Sequence, residues 1–232
     1  MGVRQLAPAL MLQLGKDQEA YDFMKWYGTS GSDDHYDWSN MDLPFLDLQG
    51  EDAFEPLTAG KWTDKYADLG HQIAITLLKL RLLLDLYSLQ ESMKGAAYRL
   101  PQELLDIVLQ HLTSDIVTER ADIMQKVRDG VGIKEYIENI DAQMNTMIRV
   151  IEKANKHFWP ALVDPGRHLS AQPEFMRYGS VEEMQVQLRH AYEAWEETPG
   201  AIDWVRQKVT QEMIYLHVPS TAGHPRLLSS ES

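Results

Sequence analysis

The run Ile73 to Leu89 is the most apolar in the chain, yet it carries Lys79, Arg81 and Asp85. Each of those charges is costly at a bilayer centre, so the run is not read as a membrane span. It reads as a buried helix within a longer one from about Tyr66 to Lys94, stopped near Gly95.

Helical hairpins flank it. Near the start, Val3, Leu6, Leu10 and Leu14 recur at spacings of three and four, Gly15 offers a stop, and Asp17 is placed to cap a second helix reaching about Tyr27. Pro8 inside the first helix is expected to kink it or mark its true start. Near the end, Ser180 and Glu183 have the spacing of a reciprocal capping box, and Thr198 followed by Pro199 is expected to cap the next helix. The apolar rows are Met184, Leu188, Ala191, Trp195 and then Ile202, Val205, Val209, Met213, Leu216. Neither hairpin can bury its face alone, which implies an all-α fold of stacked hairpins.

Residues 29–68 break the pattern, with ten acids against two lysines and Trp38, Phe45, Phe54 and Trp62 spread among them. So long an irregular segment is expected to lie pinned to the helices by its aromatics. Pro101 opens a short helix, Ser114 to Arg128 reads as an exposed one, and Gly130 and Gly132 precede a row of Tyr136, Ile140, Met144, Met147, Ile148 and Ile151. The expected organisation is one helical domain over 1–218, with the acidic loop at 29–68, a helical insertion at about 101–151, and a small, polar, disordered tail at 219–232.

Charge and composition exclude several classes. The formal net charge of −13 repels phosphate backbones and anionic membrane surfaces, so neither nucleic acid nor membrane is expected as a partner. With no cysteine there is no disulfide frame, thiolate zinc site or cysteine nucleophile. No secretory leader pattern begins the chain, and Leu6 stands where a myristoylation signal wants serine or threonine, so a cytoplasmic or nuclear location is expected.

The segment Leu10 to Ala20 resembles a tetratricopeptide unit at its inter-helix turn, where Gly15 allows the turn and Ala20 allows close helix approach. Together with Asn155 to Pro160 and Gly179 to Trp204, the chain resembles a group of fungal proteins with tetratricopeptide-like helices, some bearing a MYND-type zinc finger. The finger is absent here for want of cysteine. The resemblance implies tetratricopeptide-like hairpins packed as an irregular α-α superhelix and brings no catalytic motif. A helix entered at Val3 leaves the first apolar face without a capping repeat, as in a shortened form of a longer protein or a self-associating one.

No catalytic, cofactor or metal residue is assigned. None of the eight histidines pairs with another at the helical spacing of two ligands, and His157, His168 and Asp164 across the proline loop are read as structural. Asp33, Asp34 and Asp37 lack the turn glycine of a calcium loop, and Gly130-Val131-Gly132 lacks the third glycine of a nucleotide fingerprint. Glu182-Glu183 and Glu196-Glu197 sit at helix ends, where caps and dipoles account for them. Trp159, Tyr178 and Trp195 are of a type used both for core packing and as interface anchors. With Asn155, they are the expected protein-binding residues, lining a groove in which Asn155 would bond a peptide backbone. The expected function is a non-catalytic interaction scaffold that engages a basic protein, with the acidic loop steering it. The alternatives are a helical metal-dependent enzyme built on scattered His and carboxylate ligands, and a subunit that buries Ile73 to Leu89 against its own copy.

Overall fold

The computed structural model describes residues 3–30, 36–60, 62–64, 67–95 and 101–217, without the side chains of 59–60 and 210–217. The expected disordered tail lies outside these residues, as do the side chains of Met213 and Leu216. Every regular element described is helical: α1 (Val3–Gln13), α2 (Asp17–Gly28), α3 (Leu69–Gly95), α4 (Gln102–Leu109), α5 (Asp115–Glu119), α6 (Ala121–Arg128), α7 (Lys134–Ala154), α8 (Phe158–Val163), α9 (Val181–Glu196) and α10 (Ala201–His217). Single 3-10 turns lie at Leu57–Gly60 and Gly166–Ser170.

Helix α3 is the axis of the fold. Its 27 residues span about 40 Å at 1.5 Å per residue, and every residue from 69 to 83 is buried, because α1, α2, α7 and α9 pack around it. An apolar surface on all sides suits a helix covered on all sides. The reading in which Ile73 to Leu89 pairs with a second copy is thereby corrected, since one copy already covers it. Among the described residues no helix is long and apolar enough to cross a membrane.

The charges inside α3 have partners that explain their positions. Lys79 Nζ donates to the carbonyls of Ala53 (2.6 Å) and Glu55 (3.1 Å), and burial pushes its pKa down to about 7 against the pull of Glu55 and Asp52. Asp85 accepts the Thr113 and Ser114 amides, both at 2.8 Å, and burial pushes its carboxyl up to about 6. Arg81 donates to Asp17 Oδ1 (2.7 Å), Leu12 O (2.8 Å), Thr198 Oγ1 (2.9 Å) and Ala194 O (3.4 Å). One guanidinium thus ties the turn of the first hairpin to the turn between α9 and α10.

These bonds correct two expected caps. Asp17 does not cap α2: it is the first helical residue, buried and paired with Arg81, with burial raising its carboxyl despite that cation. Thr198 does not cap α10: its hydroxyl donates back to Ala194 O at 2.8 Å and accepts from Arg81. The Ser180 cap forms, with Oγ accepting the Glu183 amide at 3.2 Å. The reciprocal half is displaced by one residue, since the Glu183 carboxylate takes the amide of Gly179 (2.7 Å) in place of that of Ser180.

Gly15 ends α1 as expected. At φ +68° it lets the Lys16 amide reach Met11 O (2.9 Å) while its own amide reaches Leu12 O (3.0 Å), the paired bonds of a Schellman stop. Pro8 stays within α1. Its missing amide frees the Arg4 carbonyl, and His71 Nε2 on α3 takes up that acceptor at 3.0 Å. Because a carbonyl only accepts, the bond fixes the proton on Nε2; burial holds the His71 pKa below its usual value.

The buried face of α1 is not the expected one. Pro8, Ala9 and Leu12 turn inward, whereas Val3, Leu10 and Leu14 are 80%, 43% and 72% exposed. Small residues suit the inner row because α1 lies close against α3 and α9. A Cβ on Gly70 would come within 2.8 Å of the Gln5 carbonyl and 2.9 Å of Gln187 Oε1. The hairpins at the two ends of the chain therefore meet on α3.

Residues 101–151, expected as an insertion, supply α7, which packs along α3 through Ile140, Met144, Met147, Ile148 and Ile151. Ser114 to Arg128 is two short helices broken at Arg120, whose backbone is extended (φ −75°, ψ 98°). Ile116, Val117, Ile123, Met124 and Val127 are buried, so this stretch is not the exposed helix its polarity predicts.

Candidate interaction surface

The expected groove around Asn155 does not form. Asn155 is 1% exposed, its Nδ2 donating to Ser180 O (2.9 Å) and Glu183 Oε2 (3.1 Å), its Oδ1 accepting the His157 amide (3.2 Å). It laces the start of α9 to the end of α7 and has no free hydrogen for a peptide. Trp159 and Trp195 are buried and meet edge to face at 5.8 Å, with Trp159 Nε1 donating to Ile148 O (3.0 Å). Tyr178 alone of the four lies on the surface, at 61% exposed. Aromatic bulk at a hairpin junction went to packing, which removes the basis of the groove.

Among the described residues no group of three or more His, Asp or Glu is arranged to hold a metal ion. His157, His168 and Asp164 form no such group, and His168 Nδ1 meets Gln185 Nε2 at 3.1 Å.

The acidic loop divides into two parts with different electrostatics. In its second part Ala53, Phe54, Leu57 and Trp62 are buried, and three acids are matched: Lys25 pairs with Glu51 and Glu55, and Arg120 pairs with Asp52 while lying over the Phe54 ring at 4.8 Å. Tyr21 donates to Glu55 beneath them. This half is the pinned segment that its aromatics predict.

Its first part, residues 36–50, faces outward. Trp38 is 54% exposed, Phe45 55% and Met41 91%, although the rings are held. Trp26, fully buried on α2, meets Tyr36 (5.3 Å), Trp38 (6.0 Å) and Phe45 (5.0 Å), each edge to face. Tyr36 meets Trp38 at 4.8 Å, and Tyr27 lies nearly parallel to Trp38, 14° between planes and 6.5 Å between centroids. Trp26 Nε1 donates to Asp47 (3.2 Å), Tyr36 Oη to Pro44 O (2.9 Å), and Ser39 through amide and hydroxyl to Asp37, whose carboxyl is held below its usual range by those bonds. Asp22 of α2 accepts the amides of Gly50 (2.8 Å) and Glu51 (2.9 Å), fixing the far end.

Asp37, Asp42 and Asp47 lie in the same stretch of loop as the exposed rings, and none is ion-paired with a described basic residue. The sequence signalled the aromatics and the acids of this loop, but not which half would be neutralised, because Lys25 reaches it from α2 and Arg120 from the break between α5 and α6. Chemically, the surface offers aromatic and thioether contact area beside carboxylates that pair with no described cation.

What the fold and this surface define is an all-α protein with an ordered, acidic, aromatic-faced loop. Compared with protein-family models, curated protein sequences and solved structures, the chain gives no match.

Proposed function

We propose that this chain is a non-catalytic interaction scaffold, built on tetratricopeptide-like hairpins and acting in the cytoplasm or nucleus, that docks a basic protein segment on residues 36–50. The observation that carries the reading is the pairing of exposed Trp38, Met41 and Phe45 with Asp37, Asp42 and Asp47, which have no described cation of their own, while the neighbouring acids have theirs. Rings already held in place lose little side-chain entropy on binding, and tryptophan is the residue type most often found to dominate interface energetics. The Schellman stop at Gly15 and the glycine turn at Gly200 (φ +79°) support the hairpin part of the reading, as does the stacking of α1 on α9.

Docking by charge is screened by salt, so affinity for a basic partner falls as ionic strength rises past the point where the Debye length is about 10 Å. The test is affinity capture from cell extract with the wild-type chain and with Trp38→Ala/Phe45→Ser, followed by salt titration of the recovered partner. A basic partner lost on substitution and weakened by salt supports the proposal; capture that ignores both removes it.

A further inference from the structure

The docking surface carries a finer specificity. Resting on the reading above, we propose that the group it takes from its partner is the guanidinium of arginine, seated on the indole of Trp38 with Asp37, Asp42 and Asp47 as its counter-charges.

Three observations lead there. Trp38 keeps more than half of its surface in solvent while Tyr36, Trp26 and Tyr27 fix its plane, so a flat ligand meets a ring already positioned. The same cluster holds a guanidinium from within the chain: Arg4 Cζ lies 5.4 Å from the centroid of Tyr27, the ring parallel to Trp38. The bordering carboxylates have no described cation, and covering them with an apolar segment would strip them of water without return.

Arginine answers all three conditions and lysine only the last. A guanidinium is planar and weakly hydrated, so it stacks on an aromatic face while its edge N–H groups point at carboxylates; an ammonium is compact and holds its water. The second half of the loop shows the same combination, with Arg120 over Phe54 and bonded to Asp52 and Asp122.

The test uses the full chain and three fluorescein-labelled 12-residue peptides, identical except that three spaced positions are all arginine, all lysine or all citrulline. Anisotropy titration at low salt is expected to give affinities in that order, arginine ahead of lysine by about threefold to tenfold. Trp38→Leu, which keeps apolar bulk and removes the π face, should abolish the preference for arginine, and Trp38→Phe should retain most of it. The urea midpoint of each variant shows whether the fold is intact. Equal, salt-sensitive binding of the arginine and lysine peptides would overturn the arginine assignment and leave the basic-partner reading standing. No binding by either would overturn both. A preference for arginine that survives Trp38→Leu would also overturn the assignment, by moving it off this ring.

Discussion

Replacing Arg81 with methionine is the sharpest test of how this fold is held. The change keeps much of the side-chain bulk but removes every donor now given to Asp17, Thr198, Leu12 O and Ala194 O. Asp17 is 3% exposed, so its charge would be left in the core. Breaking one partner out of a buried pair costs about 3–5 kcal/mol, most of it the stranded charge. For a chain of this size that corresponds to a fall of about 6–20 °C in Tm. Replacing both members, Arg81→Met with Asp17→Leu, removes the stranded charge and should recover a substantial part of the loss, since apolar replacement of a buried pair is often neutral. Urea unfolding followed by circular dichroism, on the wild type, both single variants and the double variant, gives the coupling energy directly. A loss below about 1 kcal/mol for Arg81→Met would refute the reasoning, because that is the worth of a solvated surface pair. So would a double variant no more stable than Arg81→Met alone.

Gly70→Ala should destabilise, although alanine normally gains about 1 kcal/mol over glycine within a helix, because the new Cβ falls 2.8 Å from the Gln5 carbonyl and α1 must move; a raised urea midpoint would contradict the close approach. Lys79, lowered to about 7 in the fold against 10.5 in the open chain, binds fewer protons folded than unfolded between those values, so its contribution to stability rises with pH across about 7 to 10. Lys79→Met should flatten that rise in urea midpoints measured over the window. Asn155→Ala should cost about 1–3 kcal/mol by leaving the His157 amide without its acceptor and by taking one donor each from the Ser180 carbonyl and the Glu183 carboxylate, yet leave partner affinity unchanged once the protein is folded, as an isothermal binding titration would report.

Helix identity was legible wherever its cause is local. Gly15 and Ser180 act within a few residues of themselves, and α3 and α7 announce themselves by apolar content or period. Positions whose role is set across the chain were not legible. Asp17 has the identity and place of a cap, but Arg81, sixty-four residues away, claims its carboxylate. Asn155 suggested a groove because nothing local shows that Glu183 and Ser180 will surround it. The inward row of α1 was misread because leucines outweigh proline and alanine in any periodicity count, whereas close packing against α3 and α9 favours the smaller residues. The aromatic loop was half legible: its rings and acids are plain, but the cations that quiet one half of it, Lys25 and Arg120, come from α2 and from the break between α5 and α6.

The contact of α1 with α9 sets an order of events during synthesis. At about 5–20 residues per second, the segment from Gln13 to Val181 takes roughly ten to thirty seconds to emerge from a ribosome. Throughout that interval α1 lacks its neighbour α9, and the long oily axis behind it stands partly undressed. The nascent chain therefore invites a holding chaperone, and a stalled translation product lacking α9 is a ready substrate for quality-control proteases.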